Sequence, residues 1–261
     1  MLKLRDWVPE EKLTESLCRN PKAIQYLTKH PEKINWEKLS HNPEAYCLLN
    51  ANQEKIDWYY LSANPAAIPL LEKNPVRINW YMLGCNPGAI EILKANPERI
   101  HWKHFSDNSS PDALPMLEAN LDKIEWAWLS SNPVAIPILE KHPEKISWTC
   151  LCINPAAVHI LEKNPDKLVG ATLSSNPAAI HLLQANPDKI NWRYLSGNHA
   201  AIHILEQNQD KINWDILSEN PAIFEYDYTN MTCPFKEELL ATIYHPDNIS
   251  KFIKLNYITF F

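Results

Sequence analysis

Glycine is nearly missing from this chain: 4 residues in 261. That scarcity excludes a glycine-rich phosphate cradle and a flexible linker between domains. Long apolar runs are missing too. No stretch approaches the roughly 18 consecutive apolar residues of a membrane helix, and the opening MLKLRDWVPE lacks the apolar core of a secretory signal. These absences predict a protein that is neither secreted nor membrane-bound, placed inside a cell. Cationic surplus is absent as well: 25 Lys and Arg stand against 31 Asp and Glu, a formal net charge of -6, which argues against nucleic acid as a partner. The sequence holds no G-x-S-x-G, no Walker loop and no H-E-x-x-H. No catalytic residue, metal site or cofactor is therefore expected. The cysteines Cys18, Cys47, Cys85, Cys150, Cys152 and Cys233 follow no regular spacing and read as reduced thiols.

What the chain has in excess is 21 Pro and 10 Trp, and both are periodic. The pattern N-P-x-A-I-x-L-L-E-x-N-P-x-K-I-x-W-x-x-L-S-x, cleanest from Asn176 to Gly197, repeats every 22 residues about ten times. Its leading Asn falls at Asn20, Asn42, Asn64, Asn86, Asn132, Asn154, Asn176, Asn198 and Asn220, with Ser110 taking the slot after a two-residue insertion. Its Trp fails only at Gly170. Asn before Pro is a helix start, because the residue before proline avoids the α region and proline suits the first helical position. A second short helix is expected to begin at Trp, capped by the preceding Asn, Asp or Ser. Neither helix reaches the ~12–15 residues at which an isolated helix becomes marginal, so neighbouring repeats must share a core.

The predicted fold is therefore all-α: an α-solenoid of about ten two-helix repeats, its handedness open, with a leucine-rich-repeat-like solenoid as the second choice. The boundaries are 1–19 for an N-terminal cap or degenerate half-repeat, 20–219 for the solenoid, and 220–261 for a last partial repeat and a C-terminal helical cap. Ten helix layers at ~8–10 Å would make a body ~80–100 Å long if straight. Pro69, Pro115 and Pro137 conflict with a regular first helix, since each stands four residues after the opening Pro and lacks an amide the helix needs.

With the motif laid out, the chain resembles a repeat family of giant DNA viruses of amoebae and algae, over roughly Asn20 to Asn220. The opening LRDWVPEEKL and the ending EELLATIYHPDNI also look family-like. The resemblance implies a viral origin, in host cytoplasm or virion, and a repeat fold; it carries over no catalytic residues.

Candidate sites follow from the slots. The Lys or Arg slot, Lys33 to Lys211, forms a column whose acidic neighbours suggest a solvated ladder of ion pairs. His159, His181 and His203 form a row, read as solvated because helix layers are too far apart for shared metal ligation. Tyr60, Met82, Trp128 and Tyr194, with Tyr59 and Tyr81 beside them, are the residues a partner-binding face would display. Core packing is the competing reading of those side chains. The missing Trp at Gly170 leaves either a local collapse or a groove, the one place for a small molecule, which is otherwise not expected. The function these readings support is a non-enzymatic scaffold for protein-protein interaction; the alternative is a structural, self-assembling component of a viral particle.

Overall fold

The computed structural model describes residues 2–227. They form an all-α repeat solenoid, as the 22-residue period requires. Of the last partial repeat and C-terminal helical cap expected over 220–261, the part beyond Asp227 lies outside the described residues.

One repeat shows how the sequence builds each. Asn64 caps the first helix, its Oδ1 accepting the amide of Ala66 at 3.0 Å. Pro65–Ala67 make one 3₁₀ turn, Ala67 turns the chain at φ −91°, ψ 4°, and a fresh α-helix runs Ile68–Lys73. That restart resolves the misplaced prolines: Pro69 falls in the first turn of the second segment, where no amide is needed. Asn74 then ends the helix, its Nδ2 donating to the Leu70 carbonyl at 2.9 Å. A second 3₁₀ turn, Pro75–Arg77, leads to Asn79, which caps the helix Trp80–Leu83 through the Met82 amide. No described residue has a positive φ, so every turn is built from proline and 3₁₀ geometry, and glycine has little to do.

The core is thin and regular. Ala67, Leu71 and Leu61 are at most 1% exposed, as are their counterparts in most other repeats, such as Ala135, Leu139 and Leu129. Trp is not part of it. Each Trp of the repeats is half-buried, and in most of them the Lys or Arg of the following repeat lies across its ring: Lys55 over Trp36 at 4.7 Å, Arg77 over Trp58 at 5.1 Å, Arg99 over Trp80 at 4.9 Å, Lys211 over Trp192 at 4.5 Å. The expected ladder of ion pairs is thus largely a ladder of cation–π contacts, each contributing roughly 0.5–1 kcal/mol at an exposed site.

Polar groups fix the repeat-to-repeat register. The leading Asn of each repeat is fully or almost fully buried. Asn64 Nδ2 donates to the carbonyls of Ser40 and Asn42 in the preceding repeat at 3.1 and 2.9 Å while its Oδ1 caps its own helix. Asp or Ser could cap equally well, but Asp cannot donate and Ser has a single O–H, whereas the amide accepts at its oxygen and donates twice from its nitrogen. Ser110 does not hold this slot. Asn108 does, donating to Gly84 and Asn86, and the two-residue insertion follows it. The Ser slot also demands more than smallness: Ser40 Oγ donates to the Trp36 carbonyl at 2.7 Å and accepts the Asp57 amide of the next repeat at 3.0 Å. At Cys18 and Cys152 a sulfur accepts that amide instead.

The repeat body, residues 4–224, closes on itself. Asn20 Nδ2 donates to the carbonyls of Ser218 and Asn220 at 3.1 and 2.9 Å, the bonds that Asn42 makes to Cys18 and Asn20. The Thr14 amide reaches Ser218 Oγ at 3.1 Å, repeating the contact of Asp57 with Ser40. Lys12 lies 4.5 Å from the Trp214 ring, in the role of the repeat cation. The short 3₁₀ helix Glu15–Arg19 is thus the second helix of a tenth repeat whose first part, Pro221–Ile223, comes from the other end of the body. Closure curls up the length that a straight stack would have had. The described residues of a second, smaller compact body carry a two-stranded pair, β1 (Leu2–Leu4) with β2 (Phe224–Tyr226), and an ion pair between Lys3 and Glu225 at 3.4 Å.

Candidate functional site

The variable positions of the Trp helices carry the aromatic surface. The residue directly after Trp points outward: Tyr59 is 42% exposed and Tyr81 41%. One residue further, Tyr60, Met82 and Trp128 are half-buried between repeats, whereas Tyr194 is 47% exposed. The single slot read from the sequence is therefore two rows of different depth.

Ring contacts gather most of these residues into two groups, which follow one another along an arc of successive repeats. Tyr59 meets Tyr60 edge-on at 5.1 Å; Tyr60 is flanked by His41 at 6.4 Å and by the Arg19 guanidinium at 5.8 Å. Tyr81 rests on His104 at 3.6 Å and on His101 at 4.6 Å. His104 in turn meets Trp128 at 4.7 Å, and Lys103 lies 5.8 Å from that indole. Tyr194 belongs to a repeat three further along and stands apart from this arc.

Arg19, His41, His101 and His104 were not singled out by sequence. Only His104 carried a signal, an imidazole in a slot that is otherwise often aromatic. His104 is 5% exposed, and neither of its ring nitrogens has a hydrogen-bond partner among the described residues. Burial, then the nearby His101 and Lys103, lowers its pKa, so it is a neutral ring serving as an aromatic spacer at neutral pH. His41 is likewise pushed down by burial and by Arg19.

Chemically the described surface is quiet. Burial raises the Cys85 thiol to about 11, with Asp107 adding to the effect, and also raises Cys18 and Cys152, so these sulfurs stay protonated and weakly nucleophilic. Asp107 rises to about 6 through burial, partly offset by the hydroxyl of Ser131 donating to it at 3.3 Å. His159 and His181 each face a carboxylate of the preceding repeat, Glu140 at 3.2 Å and Glu162 at 3.0 Å. Among the described residues no three potential ligands gather around a common point.

The groove considered at Gly170 does not form. A β-carbon there would stand 2.1 Å from the Lys189 carbonyl oxygen, so the chain of the next repeat has moved into the space the indole would occupy. Lys189 Nζ also donates to the Leu168 carbonyl at 3.3 Å. The collapse is a feature of backbone approach, possible only because the residue is glycine.

No family model matches the chain, and no curated protein or solved structure is similar to it. No described helix is long and apolar enough to cross a membrane.

Proposed function

We propose that the protein is a non-enzymatic scaffold whose closed repeat body presents the arc from Arg19 and Tyr60 through Tyr81 to Trp128 to a protein partner. The observation that carries this reading is the exposure of Tyr59 and Tyr81 on an arc whose other members are held by ring contacts. Rigid aromatic side chains beside Arg are the composition of binding hot spots, and pre-ordering them lowers the entropy lost on binding. An intracellular setting accords with the free cysteines Cys18 and Cys152, both fully buried. The viral origin rests on the repeat motif alone.

The test compares capture from cell lysate by the wild type and by a triple variant, Tyr59→Ser, Tyr81→Ser and Trp128→Ser, with circular dichroism confirming the fold of both. A partner held by the wild type and lost by the variant supports the scaffold; partners retained equally by both refute this face. If sedimentation instead finds the wild type self-associating with no other partner, the self-assembling structural role replaces it.

A further inference from the structure

The tenth repeat, completed by the two ends of the repeat body, lacks its indole. In the other repeats Trp directly follows the helix cap, as Trp36 follows Asn35; here the cap is Thr14 and the residue that follows it is Glu15, while Lys33 stands where Lys55 covers Trp36 in the next repeat. Here the space is open. A cleft of about 390 Å³ lies between the 3₁₀ helix Glu15–Arg19 and the turn that follows Lys33, with Leu13, Leu17 and Ile34 as its apolar walls and Glu15, Lys33 and Asn35 among its polar groups. That volume lies near the lower end of the ~300–1,000 Å³ typical of small-ligand sites.

The walls are held in place without an occupant. Asn35 Nδ2 donates to Glu15 at 2.8 Å, and Lys38 pairs with the same carboxylate at 3.0 Å. Lys33 is drawn aside: its ammonium pairs with Glu10 at 2.9 Å and lies 5.1 Å from the Tyr26 ring, and hydrogen bonds to Tyr26 and Glu10 raise its pKa, so it stays charged. The cation that would cover the indole is present but engaged nearby.

We propose that this cleft is a binding site for an uncharged, indole-sized aromatic ring, which takes the place that Trp holds in eight other repeats. Those repeats specify the guest: a planar bicyclic ring between aliphatic side chains, under a Lys or Arg cation. Glu15 and Glu32 among the lining residues disfavour anionic aromatics. The guest is either a free indole-type compound or the Trp side chain of a peptide, both with the same ring chemistry. This site is independent of the arc from Tyr60 to Trp128, so either can fail without the other.

The experiment uses the full chain with methyl-labelled Leu and Ile, titrated separately with indole, N-acetyl-tryptophanamide and indole-3-acetate. The expected result is saturable shifts at Leu13, Leu17 and Ile34 with indole or the amide, none at Leu168 beside Gly170, and at least tenfold weaker binding of indole-3-acetate. Tighter binding of indole identifies a free small molecule as the guest, and tighter binding of the amide a peptide Trp. Glu15→Trp should fill the cleft and abolish the shifts while leaving the helix cap at Thr14 intact; Leu13→Trp is the second filler should the first not fold. Absence of shifts at millimolar ligand, or shifts that persist in a folded filler variant, would overturn the proposal.

Discussion

Two of the ten repeats lack the indole, and they deal with its loss in opposite ways. At Gly170 the backbone of Lys189 closes in until a β-carbon would meet its carbonyl oxygen at 2.1 Å. At Glu15 a side chain stands in the way, Lys33 is tethered to Glu10 and Tyr26, and about 390 Å³ stays open. Deleting a large side chain therefore does not by itself make a pocket. The outcome depends on whether the neighbouring chain can advance, and one β-carbon decides that.

The largest effects should come from the buried amides that bound these two repeats. Asn176 donates to the carbonyls of Cys152 and Asn154, and Asn20 makes the same pair of bonds across the closure. Asn176→Ala strands the Cys152 carbonyl at ~1–3 kcal/mol, takes one of two donors from that of Asn154 and removes the cap on the Ala178 amide at ~0.5–2 kcal/mol, a loss of roughly 2–5 kcal/mol in denaturant unfolding. If closure is as firm as an interior contact, Asn20→Ala costs a similar amount; a loss below ~1 kcal/mol would mark the junction as weakly held.

A smaller effect separates the two Trp-less positions directly. Gly170→Ala should cost ~1–3 kcal/mol, because the added methyl must push Lys189 back. Thr14→Ala, at the cap beside Glu15, removes the cap on the Ser16 amide, ~0.5–2 kcal/mol, together with the hydroxyl that donates to Asp215, and leaves the cleft walls where they are. Equal melting profiles for Gly170→Ala and wild type would refute the collapse at Gly170. In a repeat that keeps its indole, a double-mutant cycle on Trp58 and Arg77 should give a coupling of ~0.5–1 kcal/mol. The corresponding Lys189 has no ring to cover and should show none.

The closure and the interior should also respond oppositely to pH. Asp215 is held below the usual carboxylate range by hydroxyls of Thr14 and Ser16 donating to it across the closure. Its contribution is present above the unfolded value near 3.8 and is lost as acid protonates it. Asp107, raised from 3.8 to about 6 by burial, binds its proton more tightly when folded, so its contribution falls as pH rises through that interval. In thermal melts Asp215→Asn should flatten the acid limb and Asp107→Asn the fall between about pH 4 and 6. Unchanged limbs would remove these groups from the pH profile.

Much of this was legible in the residues. Period, helix starts and restarts, and the all-α class follow from Asn-Pro, Trp and the paired Leu, because capping and proline geometry act locally. The exposed Tyr59 and Tyr81 stand in the candidate row that their place beside Trp suggested. His104 was hidden because an imidazole in an aromatic slot becomes a spacer only once Tyr81 and Trp128 close on it. The half-exposure of Trp was hidden too, since a hydrophobic residue at a regular spacing reads as core until the cation of the next repeat is seen above it.

By itself the sequence determined the repeat, its two short helices and the need for neighbours, since each depends on interactions within some 22 residues. Only the tertiary structure decided that the series closes, that Thr14 to Asn20 complete the tenth repeat, and that one missing indole is filled while the other is left open. These depend on small angles between successive repeats summed around the whole body, and on contacts between residues about 200 positions apart, such as Asn20 with Asn220.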